Sequence, residues 1–178
     1  MVTKKVLFVV AHTGYQPVEY SVPKNLLEQA GFSVITSSDS MPTATATDGS
    51  TTGVDLTIAD ARVEEYDGIF FVGGSGALEH LDSQASYRLL NQAMQLKKIV
   101  GAICISTRIL AKSGILKDHQ ATGWNGDNEL PGIYQEYRVH YVPKDVVVDG
   151  MIITATGPNA AREYAELIIT LLQEKNGE

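Results

Sequence analysis

One cysteine in 178 residues, Cys104, rules out an internal disulfide framework and leaves a single thiol to account for. Positive charge is scarce as well. Fourteen Lys and Arg against 21 Asp and Glu give a net charge of −7, and Lys4-Lys5 and Lys97-Lys98 are isolated flanks of strands. No basic stripe exists to hold a phosphate backbone, so a nucleic-acid partner is not expected. The apolar run after Lys4-Lys5, Val6 to Ala11, stops at His12 and is too short for a signal core or a membrane span. No linker, repeat or low-complexity stretch divides the chain. These absences point to one domain over residues 1–178, with no membrane partner and a cytoplasmic location.

What is present alternates between two periodicities. Apolar runs at Val6–Ala11, Gly68–Val72 and Ile99–Ile103 read as buried strands, and Phe32–Thr36 reads as the second strand of the chain. Between them lie helical stretches, roughly Val18–Ala30 with Pro23 inside it as a kink or late start, Ser83–Leu96, and Ser106–Ser113. Met41–Gly53 is rich in turn residues and suits a short hairpin, and Val54–Ile58 alternates like an edge strand. Further on, Gln120–Gly123 leads to a loop over Trp124–Gly132 and a strand near Arg138–Val142. Asp145–Ala155 reads as a hairpin turning at Asp149-Gly150, and Ala161 to Leu172 forms the closing helix. Strands alternating with helices predict an α/β three-layer sandwich with a mainly parallel central sheet. Ligands in such folds bind beyond the carboxyl ends of the strands, where His12–Glu19, Gly73–Gly76 and Cys104–Thr107 converge.

Cys104 lies at a strand-to-helix turn. Unpaired N–H groups at the start of the following helix favour a thiolate there, although free cysteines are also commonly inert and buried. Glu19, in the first turn of the first helix, either complements the helix dipole towards water or is carried over the sheet edge to the thiol. In the second case, burial and like charge raise its pKa and fit it for proton transfer. Gly73-Gly74-Ser75-Gly76 matches neither phosphate-binding glycine motif, but glycines there let backbone N–H groups form an oxyanion hole. His12 and Tyr15 are candidates to line the pocket. Trp124, the only tryptophan, either walls it or caps the core. Arg108 flanks the expected site without an assigned role, and His80, His119 and His140 read as surface or structural residues.

These segments together resemble the DJ-1/ThiJ/PfpI superfamily. The resemblance runs through KVLFVVA, PVEYSVPKNLLEQAGFSV, DGIFFVGGSGA, VGAIC, LAKSGILKDHQATG, VVVDGMIITATGP and the closing helix. It implies a flavodoxin-like, class I glutamine amidotransferase-like sandwich with a nucleophile elbow. It also implies Cys104 as nucleophile, Glu19 as acidic partner, and backbone donors at Gly74 and Ile105. Protease-like members carry a histidine directly after the cysteine, where this chain has Ile105. Deglycase-like members bring one from the loop where this chain has Trp124. Without that proton shuttle, hydrolysis of a peptide with its poor amine leaving group is disfavoured. The His-x-Glu of amidotransferases is missing too, the late histidine reading His140-Tyr141-Val142.

The resemblance therefore implies a homodimeric enzyme without metal or other cofactor, acting on a small reactive electrophile. Glyoxalase- or deglycase-like chemistry leads. Isocyanide hydration and a non-catalytic redox sensor using Cys104 oxidation are the alternatives.

Overall fold

The computed structural model describes residues 3–175. Twelve strands appear in chain order: β1 (Lys5–Val10), β2 (Thr13–Tyr15), β3 (Ser33–Ser38), β4 (Thr43–Ala46), β5 (Thr51–Gly53), β6 (Leu56–Thr57), β7 (Gly68–Phe71), β8 (Ile99–Ile103), β9 (Gln120–Ala121), β10 (His140–Tyr141), β11 (Val146–Asp149) and β12 (Ile152–Ala155). Six α-helices join them: α1 (Pro17–Gln29), α2 (Ala77–Leu81), α3 (Gln84–Gln95), α4 (Thr107–Ser113), α5 (Leu130–Glu136) and α6 (Ala161–Glu174). The central sheet has seven strands in the order β11-β12-β8-β7-β1-β3-β6. Every neighbouring pair in it is parallel except the β11–β12 hairpin. This is the mainly parallel α/β sandwich expected from the sequence.

The apolar run of β1 explains the layering, because successive side chains point to opposite faces. Val6, Phe8 and Val10 pack with Tyr20 and Leu27 of α1 and Tyr164, Ile168 and Leu172 of α6. Leu7, Val9 and Ala11 pack instead with Leu89 and Leu90 of α3, Ile109 and Leu110 of α4, and Tyr134 of α5. Both faces are dry, which is why β1 has no polar alternation. Burying a single leucine or phenylalanine in either layer contributes roughly 1.5–3 kcal/mol. No helix among the described residues is long and apolar enough to cross a membrane.

Three sequence expectations change. Helix α1 runs unbroken past Pro23, which cannot donate to the Glu19 carbonyl one turn back. The stretch Trp124–Gly132 is not all loop, since α5 begins at Leu130 with Pro131 in its first turn, where proline is tolerated. The short helix α2 follows the glycine run directly, before the α3 segment that the periodicity marks.

Candidate active site

The carboxyl ends of β1, β7 and β8 converge, and each delivers one part of a cleft. Strand β8 ends in Cys104, whose backbone is left-handed at φ 62°, followed by a 3₁₀ turn (Cys104–Ser106) into α4. A non-glycine residue rarely adopts that conformation, and at a strand-to-helix junction it projects the side chain above the sheet edge. The turn is anchored from both sides. Ser106 Oγ donates to the Val72 carbonyl at 2.6 Å, and Thr107 Oγ1 donates to the Cys104 carbonyl at 3.0 Å.

Glu19 arrives from α1. Gln16 caps that helix, its Oε1 accepting from Val18 N at 2.6 Å and Glu19 N at 3.0 Å, with Pro17 in the first turn. The Glu19 side chain turns inward, and the residue is 1% exposed. Its Oε2 accepts from the Gly73 N–H at 2.9 Å. Its Oε1 is buried with no formed hydrogen bond, and the carboxyl group as a whole lies beside the Cys104 thiol. Burial raises the Glu19 pKa to about 7, against the opposing pull of the thiol and the Gly73 N–H. Below the pair lies Tyr164, wholly buried, its hydroxyl unpartnered and held neutral first by burial and then by the Glu19 charge.

The glycine run closes the third side. A β-carbon on Gly73 would stand 2.5 Å from Glu19 Oε2 and 2.6 Å from Cys104 Cβ. Gly74 has φ 126°, and a β-carbon there would meet the Gly14 carbonyl oxygen at 2.3 Å. Only glycine permits this approach, which brings the Gly74 N–H to the sulfur alongside the Ile105 N–H.

The thiol does not behave as a helix terminus alone would dictate. Burial first, then the Glu19 charge, push Cys104 up to about 12, outweighing the two backbone N–H groups that favour the anion. Burial and the neighbouring carboxyl thus pull the sulfur towards the neutral thiol, against the helix start, which favours the anion. The first cause is the burial of the sulfur itself, and the second is the carboxyl group beside it.

The resulting cleft of about 390 Å³ is mostly apolar and is lined by Gln16, Glu19, Thr47, Gly74, Ser75, Cys104, Ile105, Trp124 and Pro158. Trp124 is thus a wall rather than a core cap. Its backbone N–H donates to the Cys104 carbonyl at 3.2 Å. Arg108 supports it, the guanidinium carbon lying 5.5 Å from the ring centroid while Nη2 reaches both carboxylate oxygens of Asp127 at 2.8 and 2.9 Å.

Two expected lining residues lie elsewhere. Tyr15 is buried and packs edge-on against Tyr20, because β2 pairs with β4 and turns its side chain away from the cleft. His12 points to Asp39 at 2.6 Å, outside the cleft. None of the four histidines lines the cleft, and Gly73 sits beneath it rather than in its wall. Gln16 and Ser75 fall within the segments expected to converge here without being singled out, and Thr47 and Pro158 carry no distinguishing sequence signal.

A sequence model of the DJ-1/PfpI family matches residues 4–171. The chain belongs to the DJ-1/PfpI family. An uncharacterized protein of Methanocaldococcus jannaschii is 30% identical over 177 residues, covering 99% of this chain and 86% of its own length. One from Staphylococcus aureus is 30% identical, covering 96% of this chain and 99% of its own. Among solved structures, a ThiJ/PfpI domain protein from Brachyspira murdochii superposes with a TM-score of 0.91 at 27% identity, covering 98% of this chain and 99% of its own. Drosophila melanogaster DJ-1beta, at 24% identity and a TM-score of 0.84, shares the fold over 97% of this chain and 95% of its own.

Proposed function

We propose that this member of the DJ-1/PfpI family is a cysteine-dependent enzyme for small carbonyl electrophiles, of the glyoxalase or deglycase kind. The observation that carries the reading is the buried Glu19 carboxyl group beside the Cys104 thiol, with one of its oxygens unpartnered and two backbone N–H groups at the sulfur. A carboxyl group with pKa about 7 is half ionised near neutrality and can both take and return a proton there.

For a 2-oxoaldehyde the steps balance as follows. Glu19 takes the thiol proton as sulfur bonds to the aldehyde carbon. The oxygen that gains the electron pair is met by the Gly74 and Ile105 N–H groups and then protonated by Glu19, giving a hemithioacetal. Glu19 next removes the hydrogen from that carbon, giving an enediolate, and returns it to the neighbouring carbon while the first carbon's hydroxyl proton passes to the neighbouring oxygen, which leaves a thioester carbonyl beside a hydroxyl group. Water cleaves the thioester, releasing a 2-hydroxy acid and the free thiol. No leaving amine has to be protonated, so a site without histidine suffices. The apolar cleft walled by Trp124 fits a small substrate. By the same family likeness, the active species is a homodimer, which size-exclusion chromatography with light scattering tests.

The deciding assay compares methylglyoxal, an aryl isocyanide and a fluorogenic peptide with wild type and Cys104→Ala. Conversion of methylglyoxal to lactate by wild type alone is the expected result. Full activity in Cys104→Ala overturns the proposal, and turnover of the isocyanide alone moves the assignment to isocyanide hydration.

A further inference from the structure

We propose that His12, Asp39 and His80 form a two-histidine, one-carboxylate site for Zn²⁺, separate from the Cys104 cleft. The three residues come from three elements: His12 follows β1, Asp39 follows β3, and His80 lies on α2. His12 Nδ1 stands 2.6 Å and His80 Nδ1 3.1 Å from the same oxygen, Asp39 Oδ2. One ligand atom from each residue fits within a 4.8 Å span. Ligand atoms at about 2.0–2.2 Å from a tetrahedral zinc ion are roughly 3.3 Å apart, so the cluster needs only a small outward adjustment to admit the ion.

The other carboxylate oxygen is already committed. Asp39 Oδ1 accepts from the His12 backbone N–H at 2.9 Å and from Ser38 Oγ at 3.1 Å. Those bonds fix the carboxylate plane and leave Oδ2 to face both imidazoles, as outer-shell partners do at metal centres. The side chains are 35%, 22% and 18% exposed for His12, Asp39 and His80, so the site is reachable from solvent. Two imidazoles and one carboxylate suit zinc and leave a fourth position for water or an external ligand.

The location gives the ion a role. His12 leads into the segment that supports the glycine turn: Gln16 N donates to the Gly73 carbonyl at 2.9 Å and Gly76 N to the Gly14 carbonyl at 3.1 Å. His80 sits on the helix that leaves that turn. An ion bridging His12 and His80 would clamp the segment after β1 to the glycine turn that carries the Gly74 N–H.

The test is titration of Zn²⁺ into metal-free protein by calorimetry, in the Cys104→Ser background so that the thiol cannot contribute. One ion per chain is expected, with a rise in Tm on loading. His80→Gln and Asp39→Asn, each checked for native far-UV circular dichroism, should weaken binding at least tenfold, the loss that removing even an outer-shell partner causes. Co²⁺ absorption then reads the ligand set, and a spectrum without thiolate charge transfer is expected in the wild type. Zinc binding that is absent, that vanishes with Cys104→Ser, or that survives both His80→Gln and Asp39→Asn overturns the proposal.

Discussion

Glu19 and Cys104 lie side by side under the Gly73-Gly74 turn, the carboxyl tied by Oε2 to the Gly73 N–H at 2.9 Å while Oε1 makes no hydrogen bond. That division of one carboxyl group between structure and chemistry sets the first prediction. Glu19→Gln keeps an acceptor for Gly73 but cannot carry a proton. Turnover of the carbonyl substrate should fall by about 10²–10⁴-fold, with substrate affinity little changed. Steady-state kinetics on a variant with native far-UV circular dichroism checks it, and a loss confined to KM would assign Glu19 to binding alone.

The same carboxyl group should write itself into stability. Its folded pKa of about 7 lies above the ordinary 4.5, so the folded state holds the proton that the unfolded chain has released. The favourable contribution is complete below pH 4.5, declines as pH rises, and is lost above 7. The loss is on the order of 3 kcal/mol. Denaturant unfolding from pH 4 to 8 should show wild type losing ground to Glu19→Gln across that window. A constant difference between the two proteins would contradict the buried carboxyl as the source.

Glycine positions separate steric from conformational cost. Gly114 caps α4 at φ 90°, and a β-carbon added there would meet nothing within 4 Å, so Gly114→Ala should cost only the left-handed penalty, about 1 kcal/mol. Gly74 has a comparable backbone, but the Gly14 carbonyl stands 2.3 Å from its β-carbon position. Gly74→Ala should cost about 3 kcal/mol or more and displace the N–H from sulfur. Chemical unfolding of the pair checks the ranking, and equal costs would mean that the turn yields freely.

The parts of this architecture written locally were readable from the chain. The dry run of β1 and the β8–Cys104–α4 junction each depend on residues within a few positions of one another. What lay outside local reach was side-chain direction across elements. His12 looks like a pocket residue because it ends a strand, but Asp39 and His80, distant in sequence, claim it. Cys104 looks like a thiolate from its helix start, but its burial and then a carboxyl group arriving from α1 favour the thiol. Pro131-Gly132 looks like a turn because a proline in the first helical turn and one that breaks a helix are the same residue in the sequence.

Thiol reactivity discriminates between the two ways Glu19 can act on sulfur. At pH 8 a carboxyl with pKa about 7 is mostly ionised, and its charge helps hold the Cys104 thiol up to about 12. Removing that charge in Glu19→Gln should lower the thiol pKa and speed alkylation by iodoacetamide about tenfold. Slower alkylation in the variant would mean that a protonated Glu19 stabilises the thiolate by donating to it. Peroxide oxidation of Cys104, followed by mass spectrometry, should change in the same direction, since it too requires the thiolate.

Arg108 and Trp124 offer a spectroscopic handle on the cleft wall. Arg108 is 6% exposed, stacks under the indole at 5.5 Å, and is pinned by two bonds from one nitrogen to Asp127. Its role is to position Trp124. Lysine keeps the charge but lacks the planar fork and the stacking face, so Arg108→Lys should loosen the wall without removing a cation. As Trp124 is the only tryptophan, its fluorescence reads this directly. Emission should shift to longer wavelength and become more open to acrylamide quenching, while KM for the carbonyl substrate rises more than kcat falls. Unchanged quenching with altered kinetics would show that Arg108 acts on the substrate itself rather than through the indole.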